Sequence, residues 1–342
     1  MSEVATPRQM VDGILQGIAP PRPLFLPIVF SHGARIENVP LRAFVANPTK
    51  ISNSLRQIRA YLHPDGVSCY FDPYLEAEAL GGVLQWEADD RPPMLRWPPN
   101  IARGEWPKDS RTLEELAKKG RVAIGVDVIR RMKSLLRDDC LLMAGVTGPY
   151  TLGALLTQQS PGGAPHPENV SDAALDLAAA MIAPIATAFL EAGANVIFIR
   201  EDILPALSAE DAENWAARLG TTINIIRFYQ ALPVLLLGQA CSFATNRDAI
   251  LQQHWDCVVC PVLDGTALDR PGGFPELEPA GLGIALPTEA FDATASSSAD
   301  LEVSVRRVIS ALRPAVVTTA GDLPAAAGME RLKRVWENVL SP

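Results

Sequence analysis

The sequence predicts an α/β fold, a (β/α)8 TIM barrel, from three observations. Eight short apolar runs lie at 24–30, 66–71, 140–145, 195–200, 233–238, 256–262, 280–286 and 314–320. They are rich in Val, Ile and Leu without polar alternation, the mark of strands buried on both faces in a parallel sheet. Segments of helical length separate them, and that repeated alternation is the barrel signature. An open doubly wound sheet would instead need a glycine-rich dinucleotide turn after an early strand. The stretch 145–153 lacks its spacing, and Ser31-His32-Gly33-Ala34-Arg35 has too few glycines.

A short amphipathic segment around Glu3 and Arg8 reads as a helical extension to a single domain over 1–342. Helices are expected over 41–62, 113–136, 171–191, 208–231, 245–255 and 299–312. The Pro/Gly-rich stretches 91–107, 161–167 and 270–279 read as long loops that shape a pocket, with Trp86, Trp97 and Trp106 lining or covering them.

With 342 residues at 48% hydrophobic, the chain can bury a substantial core. A net charge of −9 suits a solvated acidic surface and argues against nucleic acid as partner. No apolar stretch is expected to approach the roughly 20 residues of a membrane span. The N-terminus lacks a signal-peptide core, so a cytoplasmic location is expected. Five cysteines without regular spacing predict reduced thiols.

Barrels carry their chemistry where strands end. The strongest local signal is Tyr70-Phe71-Asp72-Pro73-Tyr74-Leu75-Glu76-Ala77-Glu78-Ala79-Leu80-Gly81, where a buried strand stops at an aspartate. Asp72 is the leading catalytic candidate, because an ionisable group there is costly unless paired or used, and an ion pair with Arg35 is its structural alternative. His32 can transfer protons near neutral pH, and Arg35 can clamp a carboxylate or phosphate. Glu76 and Glu78 meet a helix dipole. Glu201, Asp202, Asp264 and Glu289 follow later strands as substrate-binding candidates, with Arg200-Glu201-Asp202 equally readable as an internal salt bridge. In His254-Trp255-Asp256-Cys257-Val258-Val259-Cys260, an odd separation turns the two thiols to opposite strand faces. The segment therefore reads as buried cysteines beside a surface histidine.

The motif at Asp72, Met143-Ala144-Gly145-Val146-Thr147-Gly148-Pro149-Tyr150-Thr151-Leu152, Glu191-Ala192-Gly193-Ala194 before a strand and Gly321 after the last strand together resemble the uroporphyrinogen decarboxylase superfamily. That superfamily also contains corrinoid and thiol methyltransferases. The resemblance implies a (β/α)8 barrel with its pocket at the C-terminal strand ends. Decarboxylases of the superfamily carry Met-Arg-Gln-Ala-Gly-Arg-Tyr after the first strand, where this chain has Phe30-Ser31-His32-Gly33-Ala34-Arg35-Ile36. Their aspartate matches Asp72, their tyrosine falls near Leu155 and their late histidine near Asp322. The methyltransferase branch binds zinc through His-x-Cys and a late cysteine. Here those positions read Gln239-Ala240-Cys241 and Thr319-Ala320-Gly321-Asp322. Cys241 is the metal candidate, with Gln239 and Asp322 as further polar pocket groups and Tyr150 packed beneath.

The resemblance implies methyl transfer involving a corrinoid, folate or thiol partner. The alternative is a cofactor-independent decarboxylase or lyase in which Asp72 stabilises a cationic intermediate and Arg35 holds the acid. A barrel that binds a ligand without turnover is a third reading. Expected partners are a small-molecule substrate, a separate corrinoid protein and a second copy of the chain in a homodimer. Zinc or a partner-borne corrinoid is the expected cofactor.

Overall fold

The structure is a computed structural model that describes residues 5–98, 106, 109–157, 170–238, 241, 243–261, 281–291, 298–324 and 327–337. The chain runs α1 (Pro7–Leu15), β1 (Leu24–Phe25), α2 (His32–Ile36), α3 (Leu41–Phe44), α4 (Pro48–Leu62), β2 (Gly66–Tyr70) and α5 (Leu75–Ala79). A hairpin of β3 (Val83–Gln85) and β4 (Met94–Arg96) follows, then α6 (Ser110–Leu116), α7 (Gly120–Leu136), β5 (Leu141–Thr147), α8 (Pro149–Leu156) and α9 (Asp172–Ala192). The second half continues with β6 (Val196–Glu201), α10 (Ala209–Phe228), β7 (Leu232–Leu237), α11 (Phe243–Gln252) and β8 (Cys257–Pro261). It closes with β9 (Leu282–Leu286), α12 (Ser298–Leu312), β10 (Val316–Thr319) and α13 (Met329–Val335).

Eight strands form one parallel sheet in the order β1-β10-β9-β8-β7-β6-β5-β2. Each predicted run supplies one of them. The sheet curls until β1 and β2 meet, and that seam is joined by a side chain as well as by backbone. The Asp65 amide donates to Phe25 O at 3.0 Å, and the Phe25 amide donates back to Asp65 Oδ2 at 2.8 Å. Arg22 grips both Asp65 oxygens, at 2.6 and 2.7 Å, a bidentate pair that fixes the carboxylate where a ladder bond would otherwise stand.

Several elements are shorter or more broken than the sequence suggests. The run 24–30 is buried throughout, but its strand ends at Phe25 because Pro27 has no amide to donate. Its pairing continues through a side chain, with the Ile28 amide donating to Thr319 Oγ1 at 3.1 Å. The expected helix 41–62 is two helices, since Asn47 caps α4 by accepting from the Thr49 and Lys50 amides and Pro48 fills the first helical position. The expected helix 113–136 also divides, where Gly120 takes a φ of +56°. The expected loop 91–107 contributes strand β4, and Trp97 pins it down by donating to Leu155 O at 2.7 Å. Stretches 161–167 and 270–279 lie outside the described residues.

At 21 residues, α9 reaches the length and hydropathy of a membrane span, longer than the apolar stretch expected from the sequence, and it packs as a barrel helix. Ser171 caps it, and Gly193 ends it at a φ of +115°.

Between β5, α8 and β6 the packing is tight enough to require glycine. Glu201 ends β6, faces the helix layer and accepts from the Tyr150 and Thr151 amides of α8 at 3.1 and 2.9 Å. Thr151 Oγ1 and Trp215 Nε1 also donate to it, at 2.8 and 3.3 Å. A β-carbon at Gly148 would lie 2.4 Å from the Glu201 carboxyl carbon. Gly148→Ala is therefore expected to lower stability by about 1–3 kcal/mol, as overpacking does. Urea denaturation beside wild type measures the loss, and an unchanged midpoint would contradict this account of the clamp.

Candidate functional site

Side-chain alternation on β6 decides what enters the barrel. Because Glu201 faces the helices, Arg200 and Phe198 face the lumen. Phe198 meets Phe71 edge to face with centroids 6.4 Å apart, and the Arg200 guanidinium lies 5.5 Å over the Phe71 ring. An irregularity in the β2–β5 register between Ser68 and Tyr70 accompanies this aim. Arg200 Nε and Asp202 Oδ2 form an ion pair at 2.9 Å, as one sequence reading expected.

Asp72 is held on both sides. Its Oδ1 accepts from the Tyr74 amide at 2.8 Å, and its Oδ2 accepts from Arg121 in the first turn of α7. Arg121 Nε also donates to Glu78 at 2.5 Å. The partner of Asp72 is thus Arg121 and not Arg35, which lies exposed on α2. Arg121 went unnoticed in the sequence because it sits in a helix 49 positions from the aspartate. The available signal was indirect: two partly buried acids, Asp72 and Glu78, call for a cation between them.

Glu76 is fully buried, and its Oε1 accepts from the Thr147 amide at 3.0 Å while Oε2 has no partner. Burial pushes its pKa up to about 7, against the opposing pull of the Thr147 amide and the Arg200 charge. Burial also pushes Glu201 up to about 7 against its donors. After β10, Asp322 accepts from the Phe30 amide at 2.7 Å, the Ser31 amide at 2.9 Å and the Ser31 hydroxyl. Burial pushes it up to about 6, and the Asp72 charge adds to the effect. Tyr74 rises through burial and then through Asp72, with Arg200 and Asp202 also acting on it. Asp72, Tyr74, Glu76, Arg200, Asp202 and Asp322 therefore form one electrostatic neighbourhood at the strand ends.

The other candidates are placed more loosely around it. His32 is buried on α2 with Nδ1 3.5 Å from Pro324 O. Tyr150 packs at the start of α8, its hydroxyl pushed up to about 12 by burial. Glu289 is exposed on a short helical turn after β9. Gln239 and Asp264 lie outside the described residues. Cys241 is buried after β7 and donates to Glu201 O at 3.2 Å, with burial and the Glu201 charge raising its thiol to about 12. Cys257 and Cys260 are both buried in β8, and His254 precedes that strand at the opposite end from the candidate site. Among the described residues, no three His, Cys, Asp or Glu side chains converge as a metal set.

A closed parallel barrel with ionisable side chains gathered at its C-terminal strand ends defines a (β/α)8 protein with its candidate site at that mouth. Residues 7–225 match the Uroporphyrinogen decarboxylase (URO-D) family, and the chain belongs to it. No curated protein matches the chain by sequence. Among solved structures it is similar to a methyltransferase from Methanosarcina mazei, with a TM-score of 0.75 and 16% identity over 97% of each chain. It is also similar to a B12-independent methionine synthase from Shewanella sp. W3-18-1, with a TM-score of 0.52 and 12% identity over 87% of each chain.

A carboxyl whose folded pKa is raised holds a proton that the unfolded chain releases earlier. Its stabilising contribution is present below the unfolded pKa and lost as pH rises through the folded one. Glu76, raised from 4.5 to about 7, is the least compensated of the three and corresponds to about 3 kcal/mol across that window. Unfolding free energy should therefore fall between pH 5 and pH 8, and Glu76→Gln should flatten the fall. Urea titrations at the two pH values measure it, and an equal slope in the variant would refute the assignment. Separately, Arg121→Met should cost about 3–5 kcal/mol by stranding Asp72, which the same titrations would read.

Proposed function

We propose that the protein is an enzyme that transfers a methyl group from a small heteroatom-methyl substrate to a corrinoid carried by a separate protein. The observation that carries this reading is that, among the described residues, the arginines at the mouth are largely committed to acids. Arg121 is taken by Asp72 and Glu78, Arg200 is paired with Asp202, and the segment after β1 offers Ser31, His32 and a single exposed Arg35. Such a mouth suits a substrate of low charge and not a polycarboxylate. The full-length likeness in fold to the Methanosarcina mazei methyltransferase supports the same choice.

In this reading a buried carboxyl protonates the departing heteroatom. Asp322, raised by burial to about 6, is the candidate acid, its proton partly retained near neutral pH. Bound to its carrier protein, the corrinoid would supply the nucleophile that accepts the methyl group. Zinc does not fit the described donors. The Cys241 thiol donates to a carbonyl, and both Asp322 oxygens accept from the β1–α2 turn. Decarboxylation by Asp72 and Arg35 has less support, since the Asp72 charge is already met by Arg121 and Arg35 is not its partner.

The test incubates the protein with cob(I)alamin and a panel of methanol, dimethyl sulfide, trimethylamine and anisole, and follows methylcobalamin absorbance. A parallel reaction follows carbon dioxide release from uroporphyrinogen. Methylcobalamin formation is expected, with Asp322→Asn slowing it by roughly 10²–10⁴-fold, the usual contribution of general acid catalysis. Carbon dioxide release without methyl transfer would overturn the proposal.

A further inference from the structure

One stretch of the helix layer is uncharged on its outer side, and an aromatic ring stands out beside it. Between Asp176 and Glu191 helix α9 carries no charged residue, and between Arg218 and Arg227 neither does α10. A surface helix ordinarily turns charges outward, and one that is apolar all round is a helix that something covers. Ala180 of α9 and Thr221 and Asn224 of α10 are nonetheless exposed. Two grooves run along these helices and meet at Thr187 and Ile225. The larger, about 540 Å³, lies against α6 with Leu113, Ala183 and Pro184 in its walls, and the smaller, about 500 Å³, reaches Phe228. Phe228 is 82% exposed, the most of any large apolar side chain among the described residues, and its ring meets Tyr229 edge to face.

We propose that this face binds a second copy of the chain, with Phe228 of each copy seated in the groove at Thr187 of the other. Knob and groove lie on the same face, the condition under which two identical surfaces close on each other about a twofold axis. The charge distribution favours the same occupant. Two chains of net charge −9 repel each other, and a stretch without charge of its own is where they can approach. The larger groove is bordered by both signs, Glu114 and Glu191 beside Lys118, so a second copy can set lysine against glutamate.

The size of the face sets the strength of the contact. Helices α6, α9 and α10 lie side by side. At roughly 9 Å spacing and about two to three turns of length, they present a footprint on the order of 400 Å². That is roughly half of the ~800 Å² that each partner buries in a standard interface, which makes the dimer a weak, concentration-dependent one. Phe228 ends α10 just before β7 begins, so the contact sits toward the barrel end opposite the strand-end mouth. Both mouths of the dimer stay open.

Sedimentation equilibrium of the whole protein between about 1 and 200 μM tests this, the range in which a weak interface titrates. The mass is expected to rise with concentration from the 36.8 kDa of one chain toward twice that value. Phe228→Lys and Thr187→Glu, at an exposed and a half-buried position of the outer face, should each raise the dissociation constant at least about 30-fold, the effect of losing a buried aromatic anchor. Mixed in equal amounts, the two variants should associate again. One contact then keeps Phe228 in an unaltered groove, and the other sets the introduced lysine against the introduced glutamate. Circular dichroism checks that each variant is folded, and should one fail, the wild-type series and the other variant still decide. The proposal is overturned by a wild type that keeps the mass of one chain through about 200 μM, which would leave the face to a different occupant. It is equally overturned by a dimer that persists in Phe228→Lys, or by a mixture no more associated than either variant alone.

Discussion

Closure of the sheet at the β1–β2 seam is the constraint on which everything else depends. Seven strand pairs are joined by ladders, and the remaining seam by Asp65, which is gripped by Arg22 and accepts the Phe25 amide. Only a closed sheet brings the ends of the paired strands β1 and β10, with Ser31, His32 and Asp322, against the end of β2, with Asp72. An open sheet would leave those groups on opposite edges.

The acids at the mouth are held by partners from separate elements. Asp72 is tied to Arg121, and Glu201 is wrapped by four donors. Burial raises Glu76 and Glu201 to about 7 and Asp322 to about 6. Alternation along β6 separates Arg200 from Glu201, since the two are neighbours in sequence and point to opposite sides of the wall.

The strands were legible because burial on both faces leaves an unbroken apolar run, which the sequence displays directly. Helix breaks were less so. The interruptions before Pro48 and at Gly120 depend on a cap and on a positive φ, signals two residues wide inside long helical patterns. Glu76 was visible as a strand-end acid, although its burial was not. Arg121 and the Arg200–Phe71 stacking were invisible, because each joins residues far apart in the chain and leaves no spacing to count. The closing pair Arg22–Asp65 was hidden for the same reason.

The five cysteines are buried without a disulfide among them. Thiolate is the form that reacts, and burial keeps Cys140, Cys241 and Cys260 near 12, far above neutral pH. Alkylating reagents should meet these sulfurs only when the barrel opens. The rate of their labelling therefore serves as a clock for local opening in the native state, strand by strand, with no probe introduced from outside.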